Sequence, residues 1–443
     1  MSPVSTTPDR LPPAPAETPE QQRANFFADP FGYVEKQSAE HGTIFAIDLG
    51  SLGNEDAVDV EISGQWVFVS RPHQIRAMYS AVRTTSGAEA NQVFFGTMEE
   101  SVGYIDGKAH RRRRAQLHPA FSGGKDYIAI IQEAVDRHFA AWPRGRAFPV
   151  YEELQKLTSE VIVEVVCGNF SAEDRAVLCE MLPRTENAKY TVDQVTTADK
   201  EIRAFVEQRI PGHLAKSDAI GQDDVFAALL RHAAEGDESL TDEVVRDEVF
   251  SLLYTGFSTT ANTLSWVFAE ITRRPEVLAR LRAEVGGRFR ERPLSRDEFG
   301  DLDYLDATIS ETLRLHPVSA LNGVRLLKEP LRIDEYVIPA GSILVHCAYL
   351  SQRSAEVYER PEEFLPERFV GNQVDPYVFG AFGGGQRTCV GRGYARAEMK
   401  MILAMAIAGL DWELSETPLP AAKQQGIFMG PEDHAVITLL PRG

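Results

Sequence analysis

The sequence predicts a mainly α protein with a small antiparallel β region. Most of the 443 residues repeat their apolar positions with helical period, strand signals are few, and one long stretch lacks any helix breaker. That stretch runs from Thr241 to Arg274, with no proline and a single glycine, Gly256. Thr241 can cap its first turn, Asp242 and Glu243 suit the positive end of the helix, and Pro275 closes it. At 1.5 Å per residue the helix spans roughly 45–50 Å. Its middle, Val249 to Ala269, is apolar on nearly every face, so it should cross the protein interior.

That apolar middle carries a polar cluster: Thr255, Ser258, Thr259, Thr260, Asn262 and Thr263. Buried hydroxyls need partners. Thr260 and Thr263 are read as bonding back to the carbonyl four residues earlier. Thr259 is read as facing a ligand, with Gly256 one turn before it making the room. The strands come next. The segments around 43–50 (GTIFAIDLG) and at 65–72 (QWVFVSRP) alternate in the manner of an antiparallel pair. LRIDEYVIPAGSILVHCAYL (331–350) predicts two more strands around a Pro339–Gly341 turn.

Composition excludes some functions. With 46 basic and 65 acidic groups the net charge is -19, which argues against nucleic acid or an anionic membrane as the main partner. The four cysteines, Cys167, Cys179, Cys347 and Cys389, form no CxxC pair, as expected of a reduced cytoplasmic protein rather than a stapled secreted one. Residues 1–24 are polar and Pro-rich and read as a disordered lead-in, with no signal peptide; residues 25–443 read as one domain. The longest apolar run, Met401 to Leu410, is too short to span a bilayer and reads as a buried helix, so a soluble protein without a membrane anchor is expected.

The strongest chemical signal is Phe382-Gly383-Gly384-Gly385-Gln386-Arg387-Thr388-Cys389-Val390-Gly391, followed by Ala395. Glycines let backbone approach a flat ligand and turn amides toward a sulfur. Such donors, with the positive end of the following helix, favour a thiolate that can bind a metal. Arg387 can pair with an anion of the ligand. The other three cysteines read as inert buried hydrophobes.

The loop resembles the haem-binding loop of the cytochrome P-450 superfamily, Phe-x-x-Gly-x-Arg-x-Cys-x-Gly-x-x-x-Ala, at every position. Further segments agree in the family's order. Glu311-Thr312-Leu313-Arg314 resembles its buried Glu-x-x-Arg pair, and Arg368, in Pro366-Glu367-Arg368-Phe369, matches the arginine that completes it. His110 and Arg114, in the run from Asp106 to Arg114, match two propionate-contacting positions, and i, i+4 spacing puts them on one helical face. Arg325 matches the strand arginine that reaches the other propionate. Thr255-Gly256-Phe257-Ser258-Thr259-Thr260 resembles Ala/Gly-Gly-x-Asp/Glu-Thr-Thr/Ser, with Gly256 and Thr259 matched and Ser258 in place of the acid.

The resemblance, which covers roughly Asp29 to Leu440, implies a triangular helical prism with haem b (iron protoporphyrin IX) between the long central helix and the cysteine-loop helix. Cys389 would be the axial metal ligand. His110, Arg114, Arg325, Arg387, Phe382, Gly383 and Gly391 would bind the cofactor. Gly256, Ser258 and Thr259 would serve catalysis, and Glu311, Arg314 and Arg368 would support the fold. The implied function is a monooxygenase that hydroxylates or epoxidises an apolar organic substrate, in secondary metabolism or in lipid or terpene oxidation. No GxGxxG follows a strand, so electrons would come from NAD(P)H through a separate ferredoxin or flavodoxin and its reductase. These would dock on a face made basic by Arg111, Arg112, Arg392, Arg396 and Lys400. A monomer is expected. Ser258 raises an alternative of another reaction class: a peroxide-using or redox-neutral haem-thiolate enzyme, such as a peroxygenase, an isomerase or an oxidative cyclase. A non-catalytic haem-binding sensor is the third reading. Phe94, Phe95, Met98, Leu252, Phe257 and Leu321, with Phe428 and the region 180–215, are expected to line the substrate pocket.

Overall fold

The computed structural model describes residues 10–441 apart from 51–61, 96–99, 122–126, 187–191, 288, 290–295, 373–374, 376 and 426–427. One helix organises the rest. It runs Asp242–Ile271, 30 residues without a break, and nearly every position from Val244 inward is buried except around Tyr254–Gly256 and Thr259. The Thr241 hydroxyl caps it, accepting from the Val244 amide at 3.3 Å. Pro275 opens the next helix, Pro275–Val285, so the chain leaves the first axis at Thr272.

The Val150–Cys167 helix lies along this central helix. Gly256 sets their closeness, since a Cβ there would be 2.5 Å from Cγ1 of Ile162. Thr158, on the same neighbour, donates its hydroxyl to the Phe257 carbonyl at 2.8 Å. Ile162 thus fills part of the room that Gly256 makes, and both residues also line the cavity described below. In sequence, a glycine that admits a neighbouring helix looks the same as one that admits a substrate.

The small β region is built on strands β1 (Ile44–Asp48), β2 (Gln65–Val69), β3 (Thr85–Ser86), β4 (Ala147–Pro149), β5 (Leu321–Leu327), β6 (Leu331–Ile333), β7 (Tyr336–Ile338), β8 (Ile343–Cys347), β9 (Ala422–Gln425), β10 (Phe428–Pro431) and β11 (Val436–Thr438). The main sheet has the order β1-β2-β8-β5-β3, and β6–β7, β9–β10 and β4–β11 form two-stranded antiparallel pieces. β1 and β2 pair antiparallel, as their alternation predicts. The 331–350 segment differs from expectation by holding three strands. The chain reverses at Asp334, whose φ of 54° is a left-handed conformation that aspartate tolerates. β8 then leaves this hairpin and lies parallel to β2. All five of its residues are buried, which suits a place between two other strands.

Residues 10–24, expected in a disordered lead-in, are ordered. The Arg10 and Pro13 carbonyls accept from the amides of Val337 and Ala46, both at 2.8 Å. A Thr18–Gln21 capping box then starts the helix Pro19–Ala28. A Pro-rich composition is as suited to lying along a strand edge as to disorder, and composition does not reveal the edge. Among the cysteines, Cys167 and Cys347 are buried and Cys179 is half-buried, and burial pushes all three thiols up, the last two to about 12. No helix is long and apolar enough to cross a membrane among the described residues.

Behind the cysteine loop stands a fully buried ion pair. Arg314 holds Glu311 in two bonds of 2.7 and 2.8 Å, and both side chains have 0% exposure. The other guanidinium protons go to the carbonyls of Gln352, Pro361 and Glu363, so all of its donors are used. Arg368 and the Leu365 amide reach the same Glu311 Oε1 at 3.1 and 2.8 Å. The network ties the helix Asp303–Leu315 to the segment 352–368. Removing one partner of such a pair strands the other charge, so Glu311→Ala should cost about 3–5 kcal/mol in denaturant unfolding of the haem-loaded protein.

A second buried group braces β8. The His346 ring lies between the Tyr79 hydroxyl and Ser351 Oγ, each at 3.0 Å, and burial pushes its pKa down to about 3. The unfolded chain therefore takes up this proton before the folded one. Stability from this group is complete above about pH 6.5 and lost as pH falls toward 3, at up to about 1.4 kcal/mol per pH unit. Unfolding measured between pH 4 and 7 should show a shallower slope in His346→Gln than in wild type.

Candidate active site

The cysteine loop is shaped by two short turns, Gly380–Phe382 and Gly385–Arg387, before the helix Arg392–Gly409 begins. Gly383 and Gly385 have φ of +67° and +65°, which side chains rarely adopt. The Cys389 amide donates back to the Phe382 carbonyl at 2.9 Å and closes the loop. Gly384 lies against the Tyr79 ring, where a Cβ would come within 2.5 Å of Cε2.

Cys389 is accessible, yet it lies deep in the protein, because the space it faces is a cavity. Two connected parts of that cavity, about 440 and 370 Å³, share Cys389, Arg325, Arg387, Leu252, Val318 and Phe428. Burial pushes the thiol up, opposed by the Gly391 amide, the Arg114 and Arg392 charges and the Arg392 amide. The sequence expectation of a favoured thiolate counted only the opposing effects. A metal at the sulfur displaces the proton outright.

Cations converge on the same cavity. His110, Arg114, Arg325 and Arg387 all line it. Arg325 is buried and donates to the carbonyls of Gly323 and Val324 at 3.0 and 2.8 Å; burial pushes it down to about 10. Arg114 donates to the Thr388 carbonyl at 2.7 Å. Burial, then the Arg387 and Arg114 charges, push His110 down to about 4, so it stands neutral among them. Arg387 meets Asp106 at 2.5 Å and the carbonyls of Gly103 and Ile105, which ties the loop to the chain before the 107–121 helix. A buried guanidinium held only by carbonyls leaves its charge uncompensated. These residues fit a flat, largely apolar group that brings carboxylates to Arg325, Arg114 and His110 and a metal to Cys389. Haem is such a group.

The opposite wall is the central helix. Thr255 and Thr259 line the cavity there. Thr259 donates to the Thr255 carbonyl at 2.9 Å, so its proton is committed to the helix and its oxygen faces the cavity. Thr263 bonds back to Thr259 at 2.9 Å as expected, but Thr260 points toward the buried Glu398 of the cysteine helix. Burial pushes the Glu398 carboxyl up to about 8, and Tyr394 and Thr260 oppose this. Neither carboxyl oxygen reaches well-aligned hydrogen-bond geometry with them. Ser258 is not on the wall: it is 1% exposed and its hydroxyl has no hydrogen-bond partner among the described residues.

Of the expected pocket residues, Leu252, Leu321 and Phe428 line the cavity. Phe257 does not, being fully buried on the packed side of the helix. No described residue between 180 and 215 lines it either. The side chains of Phe94 and Phe95, and Met98 as a whole, lie outside the described residues. Sequence reasoning missed Phe26, Phe27 and Phe31 of the N-terminal helices at one end of the cavity, for which no local signal exists. It also passed over Thr255, although a threonine where the resembling motif has alanine or glycine was a signal. The expected basic face is partly neutralised: Arg112 pairs with Asp237 at 2.9 Å, and Arg396 and Lys400 share Asp306 at 2.6 and 3.7 Å.

Comparison with known proteins agrees with this geometry. The family model for cytochrome P450 matches residues 181–438. The putative cytochrome P450 135B1 of Mycobacterium tuberculosis is 28% identical over 448 residues, covering 96% of this chain and 91% of that protein. The putative cytochrome P450 137 of the same organism is 32% identical over 314 residues, covering 66% and 63%. The structure of retinoic acid bound cyanobacterial CYP120A1 superposes with a TM-score of 0.80 at 20% identity, over 98% of this chain and 99% of that one. The chain belongs to the cytochrome P450 family and is a haem-thiolate monooxygenase.

Proposed function

We propose that this monooxygenase hydroxylates or epoxidises an apolar or partly apolar small molecule, with Cys389 as the axial thiolate. The observation that carries the reading is that Cys389 and the hydroxyls of the central helix face each other across one largely apolar cavity, edged by cations. A thiolate-held haem supplies the activation of dioxygen. The protein supplies the rest. Arg325, Arg114 and His110 would hold the two propionates, while Phe382, Gly383 and Gly391 shape the loop and Arg387 fastens it. Glu311, Arg314 and Arg368 hold the framework behind it. Hydrophobic cores that draw residues from Tyr104 to Leu439 and from Phe26 to Cys347 overlap along the chain, which supports the reading of residues 25–443 as a single catalytic domain.

Proton supply follows from the wall. Thr259 Oγ1, with its own proton on the helix, accepts from a water and fixes it beside the reaction centre. Burial pushes the Glu398 carboxyl up, and it stands behind Thr260, which lines the cavity, so it could hold a proton one residue back from the wall. Ser258 itself gives no support to the peroxide-using or redox-neutral alternative, since its hydroxyl lies off the cavity. Electrons would begin at NAD(P)H and pass through a separate ferredoxin or flavodoxin, docked near the exposed Arg111 and Arg392. The chemistry suits lipid or terpene oxidation or secondary metabolism, in the cytoplasm, by a monomer.

Turnover tests this reading. With a surrogate ferredoxin, reductase and NADPH, an apolar substrate should be oxygenated with one O2 consumed per product; turnover with hydrogen peroxide alone would contradict it. Thr259→Val should lower product per O2 consumed on the order of 10²-fold, the usual worth of a positioned proton-handling group, and raise peroxide release.

A further inference from the structure

Three threonines repeat along one face of the central helix. Thr263, Thr259 and Thr255 donate in turn to the carbonyls of Thr259, Thr255 and Ser251, at 2.9, 2.9 and 2.8 Å. The i, i+4 spacing stacks their hydroxyls about 6 Å apart. Thr255 is the most open of them: it is exposed although it lies at the middle of a buried helix, and both parts of the cavity touch it. A hydroxyl has one proton and two lone pairs. Here the proton is spent on the helix, so what Thr255 presents to the cavity is an acceptor. Leu252, Val318 and Phe428 share that cavity and keep the surroundings apolar, where a single hydrogen bond counts for more than in water.

We propose that Thr255 is a specificity residue that selects substrates carrying a hydrogen-bond donor, an alcohol or an N–H, on an otherwise apolar skeleton. This rests on the reading of the cavity as an apolar substrate site and names the class of molecule it takes. A donor placed on Thr255 Oγ1 completes an oxygen already bonded to Ser251. A ketone or an ether at the same place sets two acceptors against each other, and the threonine can answer only by giving up its helix bond. The strip thus orients the substrate as well as selecting it, since one end of the molecule is pinned to the helix wall.

The test measures equilibrium affinities on the haem-loaded protein by calorimetry. Cyclohexanol, decalin-2-ol and 1-adamantanol are each compared with their methyl ethers, for wild type, Thr255→Val and Thr255→Ser. Valine keeps the volume and removes the oxygen, and serine restores it; equal haem content shows that each variant is folded. In wild type at least one alcohol should bind about tenfold tighter than its ether, the net worth of one hydrogen bond. Thr255→Val should abolish that preference without weakening the ether, and Thr255→Ser should recover it. Equal binding of alcohols and ethers in wild type, or a preference that survives in Thr255→Val, overturns the proposal. If neither alcohols nor ethers bind to wild type, the apolar-substrate reading itself fails, and the proposal with it.

Discussion

The sulfur of Cys389 must be held still at the wall of a buried cavity while remaining open to it, and much of the architecture meets that one demand. A thiol on a free loop would turn away or be covered. Here the loop is closed by its own amide bonding back to Phe382, is turned by two left-handed glycines, and is fastened at Arg387 to the chain at 103–106. Behind it, Glu311 and Arg314 pair with each other and spend the remaining Arg314 donors and the Glu311 Oε1 on the segment 352–368, which fastens the ground from which the loop rises. Tyr79 fills the remaining gap, touching Gly384 on one side and His346 on the other. Local contacts and contacts between distant segments combine here, and the position of the sulfur is their common result.

The central helix answers the complementary demand, for a wall that is apolar yet carries a few fixed polar atoms. Its length and burial fix its course through the core. Its threonines settle their own protons on the helix backbone and so bring oxygens into an apolar space without leaving donors stranded. Ser258 and Asn262 face away from the cavity, and Gly256 both admits the neighbouring helix and lines the cavity. One helix thus divides its polar residues between two jobs according to which side of its axis they occupy.

What the sequence made legible was local. The long helix, the β1–β2 pair and the cysteine loop each declare themselves through period, caps or spacing within one segment. The hidden features depend on what else comes near. Gly256 could not announce Ile162, nor could the Pro-rich start announce the strand edges it lies along. β8 could not announce β2 as its partner, because its apolar run fits any central strand. Arg396 and Lys400 looked like free surface charge until Asp306 was brought against them. For Thr255 the signal existed, a departure from the resembling motif, but its meaning lay in the cavity beside it.

The most direct test of the account is the optical spectrum of the ferrous, carbon monoxide-bound protein, compared between wild type and Cys389→Ala. A Soret band strongly red-shifted from that of histidine-ligated haem, present in wild type and lost in the variant, is the predicted result. A wild type without that shift, or a shift that persists when the sulfur is gone, would contradict the assignment of Cys389 and the site built around it.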